Sequence, residues 1–564
     1  MTTAPKPRTG GEILVDALRG HGVDTAFCVP GESYLAELDA LYGAREAIRL
    51  IVCRQESGAA FMAEAHGKLT GRPGICFVTR GPGACNASIG VHTAAQDSTP
   101  MILFVGQVDR GMLGREAFQE IDVAQMFAGD AKWAARIDDP ARIPEMLSRA
   151  FHTALAGRPG PVVLGLPTDM LRETASVADT RPHTVVRPHP GAAAMADLRA
   201  RLERAKRPFV LLGGGGWNAE AVADAQAFAE ANRLPVGAAF RRQDLFDNDH
   251  DCWAGDVGLG INPALAARIE EADLLLAVGA RLGEMTTQGY TLPAPPDPEV
   301  ALIHVHPDPD ELGRVYRPDL AICAGPGAFA AAARALAAIE SPPWEDWRAA
   351  ARADYLAWIE PPPMPGALDL ARIIRTLREM TDGAAIIATD AGNFAGWGHR
   401  FYRYTRFRSQ LGPTCGAMGY GVPAAIAAKA AVPDRPVIAL VGDGGMMMTG
   451  QEIATALRHD IAPIVLVVNN GMFGTIRMHQ ERTYPDRVIA TDLVNPDFVA
   501  YARAFGAHGE TVAETAEFAP AFARALDAGR IAVIELRIEP EAITTQTTLS
   551  AIREAARAKA GKGR

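Results

Sequence analysis

The chain has 564 residues, 48% of them hydrophobic and 22% charged, with a formal net charge of −10. Its length predicts about three to four domains at roughly 150 residues each, and its composition is ordinary for a folded soluble protein. The modest acidity gives no reason to expect nucleic acid as a partner, and no apolar run approaches the roughly 20 residues that span a bilayer. Residues 1–10 are polar and lack an apolar signal core, so secretion is not expected and a cytoplasmic protein is. The seven cysteines are scattered without CxxC spacing, and their odd number fits a reducing compartment rather than a disulfide framework or a zinc site.

In chain order, short apolar runs lie at residues 75–79, 101–106, 209–212, 274–279, 301–306, 385–390, 437–442, 464–469 and 533–538. Each has strand length and little polar alternation, the mark of strands buried on both faces of parallel sheets. The intervening segments read largely as helices, so the expected class is α/β. Two proline-bearing stretches read as linkers. One runs over 175–192 with Pro182, Pro188 and Pro190; the other surrounds Pro342 and Pro343 and then 361–365. They divide the chain into expected domains at 1–175, 190–340 and 366–545, followed by a basic tail at 546–564 that forms a surface helix or a mobile end.

The most informative stretch is 437–470. An apolar strand ends in Gly442-Asp443-Gly444-Gly445, a helix-forming stretch follows, and a second apolar strand ends in Asn469-Asn470. Twenty-four residues separate Gly444 from Asn469. This strand–loop–helix–strand unit puts two polar tips at one carboxyl edge, where open α/β sheets bind ligands. The glycines let backbone N–H groups approach phosphate oxygens. Asp443 offers a hard carboxylate and Asn470 an amide oxygen, a set suited to octahedral Mg²⁺ with phosphate and water. Either motif alone is an ordinary turn or strand end; the pairing carries the signal.

The pattern resembles the thiamine-diphosphate motif of the acetolactate synthase and pyruvate decarboxylase superfamily. The resemblance runs from about Gly11 to Ile538 and is closest to acetolactate synthase catalytic subunits. It implies three doubly wound parallel-sheet domains: pyrimidine-binding, central nucleotide-binding-like and diphosphate-binding. It implies that Asp443, Asn470 and the carbonyl of Met472 hold Mg²⁺, and that Gly442, Gly444 and Gly445 cradle the diphosphate. Glu56, in Cys53-Arg54-Gln55-Glu56-Ser57-Gly58, matches the glutamate that exchanges a proton with the pyrimidine N1′, a task that burial favours by raising a carboxyl pKa. As an isolated residue, Glu56 would instead read as a helix-start acid favoured by the dipole. Gly31, and Gly81 in the glycine-rich turn Thr79-Arg80-Gly81-Pro82-Gly83, match further cofactor-binding positions. In Gly416-Ala417-Met418-Gly419, Gly416 matches another, and Met418 matches the apolar wedge beneath the cofactor. Asn393-Phe394 stands where relatives carry a diphosphate-binding Gln-His pair.

Phe118 and Gln119 match residues facing the bound intermediates. Arg281 matches an arginine for the acceptor carboxylate, and bidentate pairing suits that role; the plainer alternative is a structural ion pair. His479 stands where biosynthetic relatives carry tryptophan, so little preference for 2-oxobutyrate over pyruvate is expected. Thr168 replaces a family lysine. In the central domain His306, Pro326 and Met285 replace flavin-contacting residues, and Asn218 falls where GxGxxG needs its third glycine, so tightly bound FAD is not expected. The expected activity is decarboxylation of a 2-oxo acid such as pyruvate and transfer of the two-carbon unit to a second 2-oxo acid. Alternatives are a non-biosynthetic 2-oxo-acid decarboxylase, a thiamine-dependent lyase, and a catalytically silent cofactor-binding subunit. A homodimer or homotetramer is expected, with a small regulatory subunit left open and neither nucleic acid nor membrane as partner.

Overall fold

The computed structural model describes residues 6–182 and 184–562. Residues 1–5 of the polar N-terminus, His183 in the first linker, and residues 563–564 of the basic tail lie outside the described residues. Contacts divide the chain into two compact units: residues up to 186 with 426–431 and 454–459, and residues 187–425, 432–453 and 460 onward.

The first unit is built on six parallel strands: Thr25–Cys28 (β1), Arg49–Val52 (β2), Gly74–Thr79 (β3), Met101–Gln107 (β4), Trp133–Arg136 (β5) and Pro161–Pro167 (β6). Their order across the sheet is β2-β1-β3-β4-β6-β5. The central strands are buried along nearly their whole length, which accounts for their unbroken apolar sequences. Two helices matter for the site: α1, Glu56–Thr70, and α2, Arg80–Asp97. The Gln55 side chain caps α1 by accepting from the N–H groups of Ser57 and Gly58. The helices cross closely, because a Cβ on Gly90 would lie 2.4 Å from the Cβ of Ala60. Only a glycine permits that approach. The segment Thr79–Gly83, expected as a glycine-rich turn, is instead the start of α2, with Thr79 at its N-cap. Gly83 fits because a side chain there would press on Val78, so the glycines serve helix–strand packing rather than a loop.

The second unit contains two sheets. The first is Pro208–Leu212 (β7), Val236–Ala239 (β8), Trp253–Val257 (β9), Leu274–Val278 (β10), Ala301–His306 (β11) and Leu320–Cys323 (β12), in the order β9-β8-β7-β10-β11-β12. The second is Ile386–Thr389 (β13), Gln410–Leu411 (β14), Val437–Gly442 (β15), Ile464–Asn469 (β16), His508–Val512 (β17) and Ala532–Arg537 (β18), in the order β14-β13-β15-β16-β18-β17. Both are parallel throughout, as the α/β reading requires. A buried polar seam joins the two sheets. Arg241 donates to the carbonyls of Pro413 (2.7 Å) and Asp390 (2.8 Å), and the Gln243 and Gln410 side chains pair. Asn248 and Tyr404 exchange two hydrogen bonds. The seam explains why the two later domains form one unit although proline-rich chain separates them.

Cys28, Cys53, Cys76 and Cys252 are buried thiols; Cys85 and Cys323 are exposed. No helix among the described residues is long and apolar enough to cross a membrane.

Candidate functional site

In the last sheet the strand order reverses between β13 and β15, and ligands bind in the crevice outside such a switch point. Three glycine-bearing segments meet there. Gly416 and Gly419 adopt φ of +75° and +79° in the turn carrying Met418, which leads into α3 (Gly421–Ala431), and Gly442 ends β15 and caps a short helix, α4 (Asp443–Thr449). Asp443 is 3% exposed. One of its oxygens accepts from the N–H of Gly444 (3.0 Å); the other accepts from the Gly471 N–H (2.9 Å) and the Asn495 amide (2.8 Å). Burial pushes its carboxyl above the ordinary value, while the hydrogen bonds from Asn495, Gly444 and Gly471 pull it down. Asn469 accepts from Gly471 and Asn495 and donates to Glu535 (2.7 Å), which fixes the end of β16. The Asn470 side-chain oxygen accepts from the Met472 N–H (3.2 Å), so the chain folds tightly around that tip.

Asp443, Gly444, Asn470 and Met472 line a cavity of about 860 Å³, counting the part open to solvent. Met418 and Phe473 flank Gly444, where a Cβ would lie 2.7 Å from the Phe473 ring and 3.4 Å from the methionine methyl. Gly416, Gly442, Asp443, Gly445, Asn470 and Met472 all reach the cavity. Asn393 lines it too and is locked in place: its amide donates to the Ile543 carbonyl (3.0 Å), and its oxygen accepts from the Thr475 hydroxyl (3.0 Å). Thr475 begins α5 (Gly474–Thr483). Against α5 packs α6 (Leu549–Lys562) through Met478, Ile543, Leu549 and Ile552. Arg553 donates to Glu481 (2.8 Å) and Arg557 to Asp486 (2.7 Å). The tail is therefore an ordered helix pinned beside the cavity wall.

In the first unit the corresponding switch point falls between β1 and β3. Gly31 follows β1, and a Cβ there would lie 2.4 Å from the Thr79 Cβ. Gly81 follows β3 and donates its N–H to the Gln119 carbonyl (2.9 Å). Gln119 has φ of +64°, and its buried side-chain oxygen has no hydrogen-bond partner among the described residues. Phe118 is 74% exposed. The loop before them is held by Glu120, which accepts from the Gly114 and Ala117 N–H groups. Those two bonds hold its carboxyl below the usual range. Glu56 opens α1, half-buried rather than enclosed in an apolar pocket of its own chain, and accepts a hydrogen bond from the Asn86 amide (2.9 Å).

Arg281 follows β10 at the central sheet's switch point, with Nε 3.5 Å from Glu311. This is a loose ion pair, and Nε lacks a hydrogen-bond partner. His479 lies exposed on α5 and is not among the residues lining the cavity; Ile476 on the same helix is. Sequence reasoning missed Asn495, Asp390 and Asn86. The first lies in an irregular segment, and the other two hold the site from behind or beside it without belonging to any motif.

Comparison with known proteins adds three domain matches. Residues 8–126 match the N-terminal TPP binding domain of thiamine pyrophosphate enzymes, residues 195–333 their central domain and residues 390–536 their C-terminal TPP binding domain. The acetolactate synthase large subunit of Parasynechococcus marenigrum is 33% identical over 91% of this chain and 84% of its own length. The isozyme 2 large subunit of Escherichia coli is 30% identical, covering 89% and 90%, and the large subunit of Lactococcus lactis is 32% identical, covering 89% and 88%. The chain belongs to the acetolactate synthase family of thiamine pyrophosphate enzymes.

The family's cofactor fits the residues present. Among the described residues no cluster of three or more His, Cys, Asp or Glu side chains stands ready for a metal. The Asp443 carboxylate, the Asn470 amide oxygen and the Met472 carbonyl, which share the cavity, are hard oxygen donors that would suit Mg²⁺ held together with a diphosphate. A cation there also offsets the cost of a charged carboxylate that burial disfavours. Asp443→Ala is accordingly expected to weaken Mg²⁺ and thiamine diphosphate binding together, because each ligand binds partly through the other. Calorimetric titration of the metal-free protein checks this; unchanged cofactor affinity in Mg²⁺ contradicts the assignment.

Proposed function

We propose that the protein decarboxylates a 2-oxo acid such as pyruvate and joins the resulting two-carbon unit to a second 2-oxo acid, in the manner of an acetolactate synthase. The observation that carries this reading is the oxygen-rich tip of Asp443, Asn470 and Met472, gathered with Met418 and the glycine cradle around one cavity. Bound thiamine diphosphate supplies a nucleophilic carbon and an electron sink for loss of CO₂. The chain's residues supply the rest. Asp443, Asn470 and the Met472 carbonyl hold the cation and through it the diphosphate. Met418 supplies the apolar wedge beneath the rings, and Glu56 holds and exchanges the proton at the pyrimidine N1′. Gln119, with an unsatisfied buried oxygen and a left-handed backbone, is held ready for a polar partner on the substrate. Arg281 keeps a guanidinium only loosely engaged by Glu311, which suits capture of the acceptor carboxylate.

Glu56→Gln is expected to lower turnover by about 10²–10⁴-fold while leaving cofactor affinity near normal, since the side chain moves a proton and does not anchor the diphosphate. Stopped assays of CO₂ release and chromatography of the acetolactate formed from pyruvate check both halves; a Gln variant with near-normal turnover contradicts the role.

We propose a homodimer or homotetramer as the active form. Its support is the family resemblance and the large apolar side chains left exposed, Leu35, Tyr42, Met447 and Met448 among them. Light scattering at assay concentration is expected to give the mass of at least two chains, and a fully active monomer overturns the proposal. The large-subunit names of the relatives support a small regulatory partner here too, which a pull-down on the full chain would detect.

We propose finally that the central domain holds no stoichiometric flavin. His306, which takes the place of an acidic flavin contact, is buried at the end of β11 with its ring beside Asp308, and Pro326 opens a helix where an acidic side chain would be needed. Unpaired ligand groups lose affinity. The visible spectrum of the purified protein is expected to show well under one equivalent of flavin; one full equivalent refutes this.

A further inference from the structure

We propose that Asn86 is a positioning residue for Glu56, and that it sets which carboxylate oxygen is available for proton exchange. The inference rests on the reading of Glu56 as the proton-exchanging group. Its basis is the crossing of α1 and α2. Gly90 allows α2 to touch α1 at Ala60. One turn towards the N-terminus on each helix, four residues back in both, stand Asn86 and Glu56. The same crossing that demands a glycine therefore aligns an amide with a carboxylate, and Asn86 Nδ2 lies 2.9 Å from Glu56 Oε2. Among the described residues this is the hydrogen bond the Glu56 side chain makes. Oε2 is held and Oε1 is left.

The chemistry follows from what Asn86 is. The amide hydrogen bond holds Oε2 and leaves Oε1 as the oxygen available to exchange a proton. It also removes rotational freedom from a side chain that opens a helix beside open space, and acid–base efficiency depends on a fixed heavy-atom distance. An aspartate at the same position has the same shape, no donor and a like charge. Both helices keep their packing when residue 86 changes, because its side chain is exposed and the contact at Gly90 and Ala60 is untouched.

The test uses the full chain loaded with thiamine diphosphate and Mg²⁺ but without substrate. It follows deuterium exchange at the reactive thiazolium carbon by quenched NMR, with cofactor affinity measured by calorimetry on the apo chain. Asn86→Ala is expected to slow exchange about tenfold, a fraction of the 10²–10⁴ that a general acid–base group contributes. Its cofactor affinity is expected to stay within about twofold, since no diphosphate contact is lost. Asn86→Asp is expected to slow exchange further. In a Glu56→Gln background, Asn86→Ala is expected to add nothing, because residues acting as a unit are not additive. Exchange at the wild-type rate in Asn86→Ala or Asn86→Asp overturns the proposal, as does an undiminished Asn86→Ala effect in the Glu56→Gln background. Wild-type exchange in Glu56→Gln alone would instead overturn the reading of Glu56.

Discussion

Asp390 carries a carboxylate buried to 1% exposure at the carboxyl end of β13, and three parts of the second unit meet on it. One oxygen accepts the N–H of Gly421, where the segment after Met418 turns into a helix. The other lies 2.0 Å from where a Cβ of Gly445 would stand, so the turn after β15 is pressed directly against it. Its own carbonyl takes Arg241 from the central domain. Burial raises its carboxyl to about 6, against the pull of the N–H groups of Gly421, Gly419 and Tyr420 and of Arg241. The folded value lies above the unfolded one, so the stability this group contributes is present below about pH 4 and is lost as pH rises through 6. What the buried carboxylate supplies is geometry: it fixes the start of the helix at Gly421 against the turn at Gly445.

The three sheets obey one rule in two versions. The first and last share an order of the form 2-1-3-4-6-5, and the central one has the order 3-2-1-4-5-6 of a dinucleotide-binding fold. Each places a glycine-bearing turn at its reversal: Gly31 with Gly81, Gly213 with Gly279, and Gly416 with Gly442 to Gly445. In the central sheet the glycines are spent on one another, since a Cβ on Gly214 would lie 1.9 Å from the Gly279 carbonyl. The fold thus supplies three equivalent crevices, and side-chain chemistry decides what each is used for.

Much of this was legible in the sequence for a physical reason. The nine apolar runs are all strands, and they are strands flanked on both sides, where burial strips away polar residues. The strands passed over include five at sheet edges, β5, β9, β12, β14 and β17, which lack that signature because they are half-exposed or very short or, in β9, carry Gly255 and Asp256 in mid-strand. That Asp443, Asn470 and Met472 share one cavity was legible because paired glycine-rich and oxygen-bearing tips at adjacent strand ends fall on one sheet edge. Asn86, Asn495 and Asp390 were not, because each acts by reaching another element, and nothing in local sequence marks a tertiary hydrogen bond. His479 illustrates the same limit. The resemblance implied a substrate position for it, and on α5 it is Ile476 that lines the cavity.

The end of the chain has a consequence of its own. Ile543 belongs to the cavity lining, Asn393 is tethered to its carbonyl, and the helix that follows is fastened by Arg553 and Arg557 to Glu481 and Asp486. The Arg557–Asp486 pair sits at the surface, where dissolved salt screens it, whereas Arg553 reaches a buried Glu481. Residues 543–557 thus finish the masonry of the pocket, and a charge change on that outer helix is felt as mortar shifting in the wall.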